Sequence, residues 1–132
     1  MDTSIRVLLV DDSRMMINIL RKLLQQIGFA YVDDANDGGT ALDQMRRKRY
    51  GLVISDWNME PMSGLDLLRE IRNDDALKRT PFIMVTGEAK TDHVIAARRA
   101  GVNNYIVKPF NAQTLKAKIE SVFITRATAL TA

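Results

Sequence analysis

The chain has 132 residues, of which 46% are hydrophobic and 27% charged, a balance that suits one soluble domain with one core. It has no cysteine, which excludes a disulfide framework and a thiolate metal site, and its net charge of +3 is too small an excess to suggest nucleic acid by itself. No apolar run approaches the ~18 residues of a membrane span, and the N-terminus lacks the pattern of a signal peptide, so a cytoplasmic protein without membrane insertion is expected.

Short apolar runs alternate with amphipathic segments. Val7-Leu8-Leu9-Val10 reads as a buried strand ending at Asp11-Asp12. Ser13 or Asp12 then caps a helix in which Met16, Ile17, Leu20, Leu23, Leu24 and Ile27 recur every three to four residues, and Gly28 stops it. Residues 30–34 form a weaker strand, and Asp37-Gly38-Gly39 turns into a helix with Ala41, Leu42 and Met45 facing inward. Residues 52–55 form a strand ending at Asp56. Pro61 and Gly64 mark a loop, and Ser63 caps a helix carrying Leu65, Leu67, Leu68 and Ile71. Residues 82–85 form a strand ending at Thr86. Val94, Ile95 and Ala97 lie in a fourth helix ended by Gly101. Residues 105–107 form the fifth strand, Lys108-Pro109 breaks it, and a last helix carries Leu115, Ile119, Val122 and Phe123. Residues 1–124 make the domain. Residues 125–132 read as a short frayed tail, with no output domain expected.

Five strands alternating with five helices predict an α/β fold, a parallel sheet covered on both faces. In such sheets ligands bind beyond the carboxyl ends of the strands. Those ends hold Asp11 and Asp12, Asp56, Thr86 and Lys108. Two carboxylates ~4 Å apart repel by roughly 4 kcal/mol at an effective dielectric near ~20. Three of them must take up a proton or a cation, and oxygen ligands without His or Cys favour Mg²⁺. Asp56 is then free to act as a nucleophile toward a phosphoryl group. Lys108 supplies a point charge and Thr86 a hydrogen bond to the phosphoryl oxygens, and such transfer needs little more than position and charge.

Four segments carry a resemblance: Val10-Asp11-Asp12-Ser13, Ser55-Asp56-Trp57-Asn58-Met59, Val85-Thr86-Gly87-Glu88-Ala89-Lys90 and Tyr105-Ile106-Val107-Lys108-Pro109-Phe110. Together, and in this order, they resemble the signature segments of response-regulator receiver domains, most of all the single-domain receivers of chemotaxis. The resemblance covers the chain from about Ile5 to Phe123 and implies the flavodoxin-like strand order 2-1-3-4-5. It implies that Asp56 is the phosphoacceptor and that Mg²⁺ is bound by Asp12 directly, Asp11 mainly through water, Asp56, and the backbone carbonyl of Asn58. It also implies that Thr86 and Lys108 bind the phosphoryl group, that Tyr105 is a switch aromatic following Thr86, and that Lys108-Pro109 is cis. Asn58 and Glu88 would govern attack by water, and the small Gly87 would leave the phosphoryl group accessible, giving a short-lived phosphoryl state. Glu60 stands where the family usually has proline, with Pro61 after it, and Ser63 replaces a frequent aspartate.

The implied partners are a histidine kinase or another phosphohistidine donor and a downstream protein, such as the flagellar motor switch. The chain would turn over no external substrate. Alternatives are an intermediate phosphorelay carrier, or a non-phosphorylated module binding a nucleotide second messenger through arginines such as Arg98-Arg99. An aspartyl-phosphate phosphatase of the haloacid-dehalogenase type would want an aspartate where Asn58 stands. Outside these segments, the basic run 46–49 reads as a solvated helix end, His93 as an exposed histidine, and methionines such as Met15, Met16, Met45 and Met84 as core or core-edge filler.

Overall fold

In the computed structural model, which describes residues 1–87 and 90–131 with side chains to residue 124, the alternation becomes five strands and five helices. They are β1 (Arg6–Val10), α1 (Arg14–Ile27), β2 (Tyr31–Ala35), α2 (Gly38–Arg47), β3 (Leu52–Asp56), α3 (Gly64–Asn73), β4 (Phe82–Thr86), α4 (Thr91–Ala100), β5 (Asn104–Val107) and α5 (Ala112–Thr131). All strands are parallel, in the order β2-β1-β3-β4-β5. The three central strands are buried on both faces, which is why they read as unbroken apolar runs.

The sheet separates two apolar clusters. Val7, Leu9, Leu52, Ile54, Ile83, Val85 and Ile106 face α1 and α5 through Ile17, Leu20, Leu24, Leu115 and Ile119. Their neighbours Leu8, Val10, Val53 and Met84 face α2 and α3 through Ala41, Leu42, Met45, Leu67, Leu68 and Ile71. The period of two along each strand thus places α1 and α5 on one side and α2 and α3 on the other. α4 contributes least, since Ala97 is its one buried residue and Ile95 is exposed.

The helix ends follow their capping residues. The Ser13 side chain, rather than that of Asp12, accepts from the Met16 N–H, and Asp37 accepts from the Thr40 N–H. Ser63 and Asp66 form a reciprocal capping box. Gly28 and Gly101 end α1 and α4 at φ 121° and 94°, conformations that favour glycine.

Several expectations shift. β2 begins one residue later than its apolar pattern suggests, because pairing with β1 sets the register Arg6 to Tyr31 through Val10 to Ala35. The α5 backbone is helical through Thr131, in a stretch with neither Gly nor Pro to stop it. Met15 is exposed on α1, since its position falls off the apolar stripe, whereas Met45, Met59 and Met84 are buried. Peptide bonds Lys108-Pro109 and Glu60-Pro61 are both cis, the second unanticipated.

Candidate functional site at the carboxyl edge of the sheet

The parallel register brings the strand-end residues together. Val10 lies level with Ser55, Asp56 with Val85, and Thr86 with Val107. Asp11, one residue beyond β1, therefore reaches the level of Asp56, and Lys108, one beyond β5, completes the row. Main-chain bonds tie the turns that follow: Asp11 N–H to Ala35 O (3.1 Å), Trp57 N–H to Val85 O (2.9 Å) and Lys108 N–H to Thr86 O (2.7 Å).

Carboxylate oxygens of Asp11, Asp12 and Asp56 lie within 4.8 Å of one another. Asp11, Asp56 and Thr86 are buried, whereas Asp12 and Asn58 are exposed. The Lys108 ammonium donates to Asp56 Oδ1 at 3.1 Å. One cation thus faces three carboxylates, and the imbalance falls on Asp11. Its Oδ1 accepts from the Ser13 N–H at 2.9 Å, but its Oδ2 is buried without a hydrogen-bond partner among the described residues. Burial, the backbone hydrogen bond working against it and the nearby Asp56 charge leave the Asp11 carboxyl raised to about 6. A buried carboxylate oxygen left unpaired among oxygen ligands is what a hard divalent cation satisfies, so the residues present fit Mg²⁺.

Around this centre the other site residues take distinct places. Tyr105 on β5 is half-buried, level with Met84 and packed against the α2–α3 cluster. Gly87 is exposed, and a Cβ there would meet nothing within 4 Å, which leaves open space beside Thr86. Glu88 lies outside the described residues.

Two residues that shape the site escape a reading of the sequence. Gly64 reads as a loop marker, yet it is the first residue of α3. A Cβ on it would run into the Asp56 carbonyl oxygen and lie 2.8 Å from Met84 Sδ. Its N–H donates to Trp57 O at 2.8 Å, so the absent side chain lets α3 begin directly against the end of β3. The available signal was a glycine just after a capping serine, where a helix has no conformational need for one. The other is His93. It is not exposed but half-buried, its ring stacked on Trp57 with centroids 4.6 Å apart and planes 4° from parallel. The stack joins α4 to the residue after Asp56, a contact set by the tertiary approach of two distant segments.

The response regulator receiver domain model matches residues 7–120. The chain is 48% identical to the chemotaxis protein CheY of Pseudomonas aeruginosa over 118 residues, covering 89% of this chain and 95% of that protein. It is 45% identical to the chemotaxis protein CheY-3 of Vibrio cholerae over 123 residues, covering 93% and 95%. Among solved structures it resembles the chemotaxis response regulator CheY4 of Vibrio cholerae, with a TM-score of 0.83 and 33% identity over 90% of this chain and 98% of the other. It also resembles the receiver domain of a sensor histidine kinase from Pseudomonas aeruginosa, described with a magnesium ion in its active-site cleft. That likeness has a TM-score of 0.78 and 28% identity over 86% and 93% of the two chains.

Proposed function

This chain belongs to the response regulator receiver domain family, and on that premise we propose that it takes a phosphoryl group from the phosphohistidine of a histidine kinase onto Asp56 and thereby changes its affinity for a partner in chemotaxis. The observation that carries the reading is the buried Asp56 carboxylate held 3.1 Å from the Lys108 ammonium, with Asp11 and Asp12 beside it.

An Asp56 carboxylate oxygen attacks phosphorus, an O–P bond forms, and the P–N bond to the donor imidazole breaks. The imidazole keeps the electron pair and takes a proton from solvent. Lys108 stays beside the acyl phosphate as a point charge, and the Thr86 hydroxyl donates to a phosphoryl oxygen. Asp11, Asp12, Asp56 and the Asn58 carbonyl would hold Mg²⁺, which when bound would supply the remaining positive charge against the phosphoryl oxygens. Trp57 and Gly64 hold the β3 end in place, which matters because transfer is mainly positioning.

Drawing Thr86 and Lys108 toward the phosphoryl group alters the end of β4 and the turn after β5, and Tyr105 moves inward beside them. The face formed by α4, β5 and α5 then differs between the two states, and a target such as the flagellar motor switch prefers one of them. The open space at Gly87, with Asn58 two residues after Asp56 and Glu88 two after Thr86, favours quick loss of the phosphoryl group to water in a cytoplasmic protein that turns over no external substrate. A phosphorylated kinase domain should label the wild-type chain within minutes in Mg²⁺, and the label should then decay without a phosphatase. Equal labelling of Asp56→Asn, or a label stable for many hours, would contradict the reading.

A further inference from the structure

The opposite edge of the sheet carries a second feature that phosphorylation does not use. A groove of about 790 Å³ runs past Ile5, Gly51 and Pro81, the residues preceding β1, β3 and β4. Five-residue strands separate it from the Asp56 edge, roughly 16 Å away at ~3.3 Å per residue. Five cations line it, Arg46, Arg47, Lys48, Arg49 and Arg79, against one carboxylate, Asp75. That local excess is larger than the +3 of the whole chain.

The helix dipole of α2 accounts for Arg46 and Arg47 in its last turn, but not for Arg49 beyond it or for Arg79 in the α3–β4 connection. Two segments remote in sequence thus bring positive charge to one cleft. Part of it is neutralised locally. Arg46 lies 3.8 Å from both Asp43 and Asp74, and Lys48 lies 3.4 Å from Asp33. Arg47 and Arg49 have no ion pair or hydrogen bond from their side chains among the described residues. Met45 and Leu77 are buried beneath the groove, and the half-buried Phe123 packs on the core at its edge.

We propose that this groove docks an acidic segment of a partner protein, with one apolar side chain lying against Phe123 and its carboxylates meeting Arg47 and Arg49. A protein segment fits better than nucleic acid. The cleft holds a few side chains rather than a duplex, and buried Met45 and Leu77 give it an apolar floor. Because the groove rests on the fixed amino ends of the strands, docking there is independent of Asp56 and can hold the chain near a partner in either phosphorylation state.

The test is a phage-displayed random peptide library selected on the full chain and counter-selected on the double variant Arg47→Glu/Arg49→Glu, with Arg49→Glu alone as a second variant outside any helix. Circular dichroism checks that each folds. The selected peptides should concentrate Asp and Glu around one apolar residue. A synthetic copy should bind the wild type saturably, lose about tenfold or more in affinity for the double variant and less for Arg49→Glu, weaken with salt, and bind Asp56→Asn unchanged. Selection of non-acidic peptides, equal binding to the wild type and the double variant, or no enrichment at all would overturn the proposal. So would tighter binding of a single-stranded oligonucleotide of equal charge, which would assign the groove to nucleic acid.

Discussion

Replacing Asp11 by Asn should make the metal-free protein more stable while abolishing its response to Mg²⁺. Asp11 is 2% exposed, its Oδ2 has no hydrogen-bond partner among the described residues, and its carboxyl is raised from 3.8 to about 6 chiefly by burial. At pH 7 the folded chain therefore holds an ionised group that ionises more easily when unfolded. That difference costs on the order of 3 kcal/mol. Since the folded value lies above the unfolded one, the folded state binds more protons, and stability falls as pH rises from about 4 through about 6. Asn removes the charge, and its Oδ1 can still accept from the Ser13 N–H. Urea unfolding with a chelator at pH 7 should show Asp11→Asn more stable by about 1–3 kcal/mol, with roughly half that gain at pH 5. Saturating Mg²⁺ offsets that gain, because a ligand at 100 times its Kd stabilises only the chain that binds it, by about 2.7 kcal/mol. If Asp11→Asn were less stable than wild type in chelator at pH 7, or if Mg²⁺ stabilised both chains equally, the electrostatic account of the site would be wrong.

Three further outcomes follow from particular contacts. Gly64→Ala should cost about 1–3 kcal/mol and slow phosphorylation by acetyl phosphate, because its methyl displaces the Asp56 carbonyl; an unaffected rate would show that the close approach is not needed. The Arg72 guanidinium donates to the carbonyls of Gly101, Lys78 and Thr80 and to Asn103 Oδ1 at 2.7–3.0 Å. Arg72→Ala should lower stability by about 2–4 kcal/mol in urea, with little rescue by Arg72→Lys, which lacks the planar fork. His93→Ala should leave Trp57 more open to acrylamide quenching and shift its emission to the red, at a cost of about 0.5–1.5 kcal/mol; unchanged quenching would mean that the stack does not persist in solution.

The sequence announces what depends on local pattern. Apolar runs at 7–10, 52–54 and 82–85 mark the central strands because burial on both faces leaves no polar alternation. The reactive row is legible for a related reason. In a parallel sheet a residue at a strand's carboxyl end has one place to go, so Asp11, Asp56, Thr86 and Lys108 converge wherever the strands are correctly bounded. The edge strand β2 is less legible, since Asp33 and Asp34 interrupt its apolar pattern. Both are balanced by partners distant in sequence: Asp33 accepts from Tyr50 at 2.6 Å, and Asp34 pairs with Arg21 and Arg14. Gly64 and His93 stay hidden because their importance lies in the gap between β3 and α3 and in the approach of α4 to Trp57. Neither distance is encoded in a local period. The basic run at 46–49 reads as a helix end until Arg79 arrives on the same groove from another connection.

The most direct test of the central claim is to locate the acyl phosphate. The full chain is incubated with acetyl phosphate and Mg²⁺, trapped with borohydride, which reduces an aspartyl phosphate to homoserine, and sequenced by tandem mass spectrometry. Homoserine at position 56 alone, absent when Mg²⁺ is chelated and absent in Asp56→Asn, is the predicted result. Homoserine at Asp11 or Asp12, or none in a wild-type chain that is folded and saturated with Mg²⁺, would contradict it.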